Sequence, residues 1–250
     1  MFQAERERRI LDYLYQARIA SPAQIQAITG TSIATVRRDL SEMEQKGMVR
    51  RSHGYVQLPE SAIAHSQPSF LEEKERVARA AAGQIQDGNV IFLGSGTTCA
   101  CLARHLQGKR GLTIMTINLD VVQDILQLQD VKLSLLGGEV RVENGYIETL
   151  DEYTVPILKR LYFDKVFVTV DGIDFEFGYS IRKQLQLSLF QHLLRNSKEF
   201  YCLANAAKFE KRTYVQFCPI EAIRKVVTTE EVVRKYAKEF ARLGIQTISG

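Results

Sequence analysis

Apolar and polar positions follow one rhythm up to Leu58 and another after Phe70. In the first stretch apolar residues recur at three- and four-residue spacing in short runs. Ile10, Leu11 and Leu14 lie on one side of Arg6 to Gln16, which predicts a helix. Ser21-Pro22 follows as an N-cap and a proline at the first helical position, where the missing N–H costs nothing. Ala23, Ile25, Ala27 and Ile28 then give a second helix a short apolar face. Gly30 breaks the chain, because glycine takes up backbone angles that other residues avoid. Ser32 caps a third helix, in which Ile33, Val36, Leu40 and Met43 form one buried stripe. Met48 to His53 and Tyr55 to Leu58 are short strand-like runs around Gly54.

After Leu58 the pattern lapses. Residues 59–69 hold two prolines and small polar residues without a sustained period, which predicts a linker. Phe70 to Ile85 is strongly helical, and continuous apolar runs then alternate with amphipathic ones. Strands are predicted at Asn89 to Leu93, Leu112 to Thr116, Val131 to Leu136, Lys165 to Val170, Glu199 to Ala204, Lys225 to Thr228 and Ile245 to Ile248. A helix is predicted at Glu230 to Arg242. Apolar strands separated by amphipathic helices indicate a mostly parallel sheet covered on both faces. The expected organisation is a helical unit at 1–58, a linker at 59–69 and an α/β unit at 70–250.

Charge gives the first unit its chemistry. Residues 1–58 carry nine Lys and Arg against six Asp and Glu, which is +3 of the +4 on the whole chain. The third helix turns Thr35, Arg37, Arg38, Ser41 and Glu42 away from its apolar stripe. Hydroxyls and adjacent arginines on the first turns of a helix suit the DNA major groove, where arginine binds guanine bidentately and neighbouring groups hold phosphate. The pair of strand-like runs reads as the wing of a winged helix-turn-helix. The candidate DNA contacts are Ser21, Ser32, Thr35, Arg37, Arg38 and Ser41 from the helices, with Arg50, Arg51, His53 and Tyr55 from the wing. Asp39 would repel phosphate, so it is expected to be an internal anchor that orients the arginines beside it or accepts a backbone N–H.

In the second unit the loops after the strands share a character. Ligands of such sheets settle beyond the carboxyl ends of the strands. Gly94, Ser95, Gly96, Thr97 and Thr98 follow the first strand and open a helix, which places backbone N–H groups and three hydroxyls where an anion would sit. Asn118 follows the second strand, Gly137 and Gly138 the third, Thr169, Asp171 and Gly172 the next, and Lys208 a later one. Each hydroxyl of a desolvated sugar needs a partner, and its phosphate needs donors. A phosphorylated sugar is therefore the expected effector.

Several classes are disfavoured. No apolar run is long enough to span a bilayer, and Met1 to Glu7 is polar without the look of a signal peptide, so a cytoplasmic protein is expected. Cys99, Cys101, Cys202 and Cys218 lack Cys-x-x-Cys spacing and a nearby histidine set, so neither a metal site nor a disulfide framework is expected, and no cofactor is called for. They read as buried thiols.

Arg6, Ile10, Leu14, Ser32 and Thr35-Val-Arg-Arg-Asp-Leu40 stand at the spacing of the N-terminal signature of the DeoR family of bacterial transcription regulators, which this chain resembles. From about Glu73 to Thr229 it resembles that family's effector domain, which is similar to the ribose-5-phosphate isomerase fold. Gly94 to Thr98, Asn118, Gly137-Gly138, Asp171-Gly172-Ile173 and Lys208-Phe209 match its motif positions. The resemblance implies a repressor of a carbohydrate-utilisation operon, a phosphorylated sugar effector, double-stranded operator DNA as partner, and a homodimer or homotetramer. Three positions depart from the pattern: Gly94 and Asn205 stand where aspartates are usual, and Thr149 where glycine is common. An alternative reading is an isomerase-like enzyme with a DNA-binding module, since Asp171-Gly-Ile-Asp174 is similar to a segment of sugar-phosphate isomerases. Gly178 to Leu187 holds no second acid, so no catalytic residue is assigned and Asp174 is expected to be structural or ligand-orienting.

Overall fold

The computed structural model describes residues 3–17, 19–52, 54–58, 68–143 and 146–250, and the chain divides into two compact units, 1–72 and 73–250. In the first, helices α1 (Gln3–Ala17), α2 (Pro22–Thr29) and α3 (Ile33–Gln45) enclose a core of Ile10, Leu14, Ile25, Val36, Leu40 and Met43. Ser21 closes a capping box: its hydroxyl accepts from the Gln24 N–H, and the Gln24 side chain accepts from the Ser21 N–H. Gly30 ends α2 in the left-handed region at φ 65°. The apolar face expected of α2 is narrower in the structure. Ile25 is buried and Ile28 half-buried, while Ala23 and Ala27 face solvent. An eight-residue helix offers its neighbours a single row, and Ile25 with Thr29 fills it.

The wing has three strands. Strands β1 (Ile19–Ala20), β2 (Arg50–Ser52) and β3 (Tyr55–Gln57) pair antiparallel in the order β1-β3-β2. The two residues of β1 are too few to show a period, so only tertiary pairing reveals them. Gly54 makes the turn at φ 82°, and Val56 and Leu58 anchor the sheet in the core. Residues 59–67 of the expected linker lie outside the described residues. Its last two positions, Pro68 and Ser69, belong to the helix Pro68–Ala82, which starts two residues earlier than its apolar pattern because proline fits a first helical turn.

The second unit is built on seven parallel strands: β4 (Val90–Leu93), β5 (Leu112–Thr116), β6 (Val131–Leu135), then β9 (Phe163–Thr169), β12 (Ser197–Leu203), β14 (Lys225–Thr228) and β15 (Gln246–Ser249). Their order is β15-β14-β12-β9-β4-β5-β6. Successive residues alternate between two cores. Phe92, Val166, Val168 and Cys202 face one layer, and Ile91, Leu93, Phe167, Tyr201 and Leu203 the other. Two smaller sheets were not legible in the sequence: the hairpin β7 (Val140–Glu143) with β8 (Tyr146–Thr149), and β10 (Gly172–Asp174) with β11 (Gly178–Ile181) and β13 (Val215–Cys218). The helix expected over Glu230 to Arg242 is two helices, Glu230–Lys235 and Ala237–Leu243. Tyr236 leaves helical geometry between them and stacks on Phe209 at 5.3 Å, inside an aromatic group with Phe175 and Phe240.

Candidate functional site

The outer face of α3 follows from how its inner face is held. Asp39 is an internal anchor, but its partner is Arg6 of α1 rather than the adjacent arginines. The Arg6 guanidinium meets it in two hydrogen bonds, at 2.7 and 2.9 Å, with both side chains buried. Hydrogen bonding to Asp39 raises the Arg6 pKa against the opposing effect of burial. Arg37 and Arg38 are thereby left exposed. Their side chains and that of Arg50 make no ion pair or hydrogen bond with any described residue. Arg51 is more constrained, since its N–H donates to Glu44 at 2.9 Å and its guanidinium stands 4.0 Å from the same carboxylate. Ser21 and Ser32 have their hydroxyls in caps; Ser32 accepts the Thr35 N–H and lies 2.9 Å from the Thr35 hydroxyl. Ser41 is half-buried and Tyr55 exposed, and His53 lies outside the described residues.

In the second unit the strand order reverses between β4 and β9: β5 and β6 extend one way, and β12, β14 and β15 the other. That switch point, at the carboxyl end of the sheet between the loops from β4 and β9, is where open α/β sheets hold their ligands. Gly94 to Thr98 lines it. Gly94 donates its N–H to Phe167 at 2.8 Å, and the Thr169 hydroxyl donates to the Ser95 carbonyl at 3.1 Å. Gly96 has φ 98°, and a Cβ there would lie 2.8 Å from the Thr169 hydroxyl, so no other residue suits the position. The helix Thr97–Arg104 begins at Gly96 without a side-chain cap, which leaves its first N–H groups to an anion or to water. Ser95 and Thr98 are buried and Thr97 half-buried.

On the neighbouring loops Asp171 accepts the Arg182 N–H at 2.9 Å and stands 3.9 Å from both the Arg182 guanidinium and the Lys208 ammonium. Burial pushes the Lys208 pKa down; Asp171 opposes this, and Lys211, Lys74 and Arg182 add to it. Cations outnumber acids at this rim, which suits an anionic ligand. Gly172 lets the loop pass close to a neighbour, because a Cβ there would lie 2.4 Å from the Lys211 carbonyl.

Three expected site residues sit differently. Asn118 is fully buried and caps the helix Leu119–Ile125, while its amide donates to the Gly96 carbonyl at 3.2 Å. It shapes the cradle from behind. Gly137 and Gly138 are exposed and turned toward the segment 150–154, where a Cβ on Gly138 would lie 3.0 Å from the Thr154 hydroxyl. Two of the three departures from the family pattern, Gly94 and Thr149, fit their local surroundings. A side chain at Gly94 would press on Val168 at 3.1 Å, and the Thr149 hydroxyl ties together the carbonyls of Leu136 and Ile117.

Four residues were missed: Lys74, Glu148, Lys183 and Gln186. Glu148 of β8 is fully buried and bonded to Lys183 and Gln186, and Gln186 reaches Ser95 at 3.2 Å. An acid in a short, irregular strand carries no signal of this in the sequence. Asp174 is engaged elsewhere. Hydrogen bonding to Arg212 holds its carboxyl down at about 2, aided by the N–H groups of Phe177 and Glu176. A carboxylate so anchored is poorly placed to shuttle protons. All four thiols are buried, and burial pushes Cys99 up to about 12 and Cys101 to about 11. Among the described residues no helix is long and apolar enough to cross a membrane.

A winged helix-turn-helix with exposed arginines on its third helix, in one chain with a parallel α/β unit that has a glycine- and hydroxyl-rich loop after its first strand, defines the build of a transcription regulator. Residues 6–62 match the family model of the DeoR-like helix-turn-helix domain and residues 69–230 that of the DeoR C terminal sensor domain; the chain belongs to the DeoR family. It is 29% identical over 237 residues to the glycerol-3-phosphate regulon repressor of Escherichia coli K12, covering 91% of each chain. It is 32% identical over 214 residues to a lactose phosphotransferase system repressor of Staphylococcus epidermidis, covering 82% of this chain and 83% of that one. Among solved structures, ribose 5-phosphate isomerase A of Methanocaldococcus jannaschii matches at 22% identity with a TM-score of 0.37, over 56% of this chain and 54% of the other.

Proposed function

We propose that this regulator is a repressor of a carbohydrate-utilisation operon, acting in the cytoplasm, and that it leaves its operator when a phosphorylated sugar occupies the crevice between β4 and β9. The observation that carries the reading is the cradle at Gly94 to Thr98, whose uncapped helix start and buried hydroxyls lie on the loop adjoining the one that holds Asp171. Lys208 and Arg182 supply the cations an ester phosphate needs. Operator contacts come from Arg37, Arg38 and Arg50, with Thr35, Ser41, Arg51 and Tyr55 around them. The relatives named as a glycerol-3-phosphate regulon repressor and a lactose phosphotransferase system repressor support the carbohydrate assignment.

In this reading operator and effector are linked through a dimer or tetramer, since a two-fold operator requires two recognition helices. A coupling of about 1 to 3 kcal/mol lets each ligand weaken the other's binding by about 5- to 150-fold. The test is fluorescence anisotropy of the full chain on DNA from upstream of its own gene, with a panel of sugar phosphates. One member should lower affinity within that range, be recovered chemically unchanged, and lose its effect in Lys208→Ala. A chain that does not retain this DNA at low salt refutes the proposal. Steady conversion of the ligand, abolished by Asp174→Asn, restores the isomerase reading.

A further inference from the structure

Glu148, Lys183 and Gln186 form a polar group directly behind the cradle. Lys183 places its ammonium on one oxygen of the buried Glu148 carboxylate, and Gln186 donates to the other at 3.2 Å. A carboxylate paired with an ammonium only accepts hydrogen bonds, so it fixes the Gln186 amide with its nitrogen inward. That nitrogen has two protons. One goes to Glu148, and the other points at the Ser95 oxygen, also at 3.2 Å. Ser95 is 4% exposed and Gln186 5%, which leaves neither side chain room to turn to solvent.

The consequence falls on the Ser95 hydroxyl. Its oxygen already accepts from Gln186, so its own proton must go elsewhere, and no described residue accepts it. We propose that Glu148, Lys183 and Gln186 are positioning residues that set Ser95 as a hydrogen-bond donor into the crevice, so that this point of the site selects an oxyanion oxygen over a neutral hydroxyl. This rests on the reading of Gly94 to Thr98 as the effector's anion cradle. The relay assigns the anionic group of the ligand to the β4 loop, and it ties the cradle to the β7–β8 hairpin through Glu148.

A double-mutant cycle on the full chain tests this, with inorganic phosphate as probe and glycerol as the neutral control, read by calorimetric titration. Ser95→Ala and Gln186→Met should each weaken phosphate binding by about tenfold or more, as loss of a hydrogen bond to a charged group does. The double variant should be no weaker than Ser95→Ala alone, because Gln186 acts only through that hydroxyl. A residue that merely holds the fold would give additive losses. Gln186→Glu guards against a variant that fails to fold: it keeps the shape, turns the Ser95 proton inward, and should lose phosphate to the same extent. Additive effects, or phosphate binding undiminished in Gln186→Glu, overturn the relay while leaving the cradle standing. Glycerol bound as tightly as phosphate overturns the donor assignment. A wild-type chain that takes up no phosphate overturns both relay and cradle.

Discussion

Arg50 offers the sharpest test of the DNA-binding face, because the structure separates it from its neighbour. Arg50 is exposed and its side chain has no partner among the described residues, whereas Arg51 is tied to Glu44. Suppose that Arg37, Arg38 and Arg50 each neutralise one phosphate and that two protomers bind one operator. The logarithm of affinity then falls against the logarithm of salt with a slope of about −5.4, and raising salt from about 50 to about 200 mM weakens binding about 2,000-fold. Arg50→Gln removes two of these contacts per complex. Its slope should be about −3.6, and the same salt step should weaken binding only about 150-fold. Anisotropy titrations at four or so salt concentrations measure both slopes. The loss should be uniform across operator variants, since a phosphate contact carries no sequence information. Arg51→Gln should change the slope less. A slope unchanged in Arg50→Gln, or a loss confined to one base pair, would refute the assignment of this arginine to the backbone.

Three further outcomes follow from the second unit. Gly172→Ala drives a Cβ to within 2.4 Å of the Lys211 carbonyl, so thermal melts should show a loss of about 1 to 3 kcal/mol, accompanied by weaker effector binding as the Asp171 loop shifts. Asp174 titrates at about 2 instead of its ordinary 3.8, so its stabilising contribution is present above the ordinary value and is lost as pH falls through about 2. Asp174→Asn should therefore lower stability at neutral pH and flatten the stability curve below about pH 4; parallel wild-type and variant curves there would remove Arg212 as its partner. Burial that lifts Cys99 to about 12, Cys101 to about 11 and Cys218 to about 12 predicts almost no reaction with a thiol reagent at pH 8 until the chain unfolds.

Much of the scaffold was legible because it rests on local rules. Ser21 and Ser32 read as caps, Gly30 as a left-handed stop, and Val36, Leu40 and Met43 as a stripe, since each depends on residues a turn or less away. The seven strands of the main sheet were found for the same reason: the central ones carry continuous apolar runs, and the edge strand Val131–Leu135 alternates apolar with polar residues. What escaped was settled by partners distant in sequence. Strand β1 exists through β3, the break at Tyr236 through Phe209, and the anchoring of Asp39 through Arg6. At the cradle the glycines and hydroxyls were visible as a run, while Glu148, Lys183 and Gln186 lie dozens of residues away from it.

The sequence by itself determined the two-part build, the third helix with its outward arginines, and a glycine- and hydroxyl-rich loop between a strand and a helix, because periodicity, caps and turns are short-range and repeat along the chain. Tertiary structure decided which of those groups keep their hydrogen bonds for a ligand. Asn118 and Asp174 are drawn into the protein's own network, Gly138 is packed against Thr154, and Ser95 keeps a proton to give. Hydrogen-bonding capacity is finite and each buried group must satisfy its own, so what remains for function is known only once every neighbour is in place.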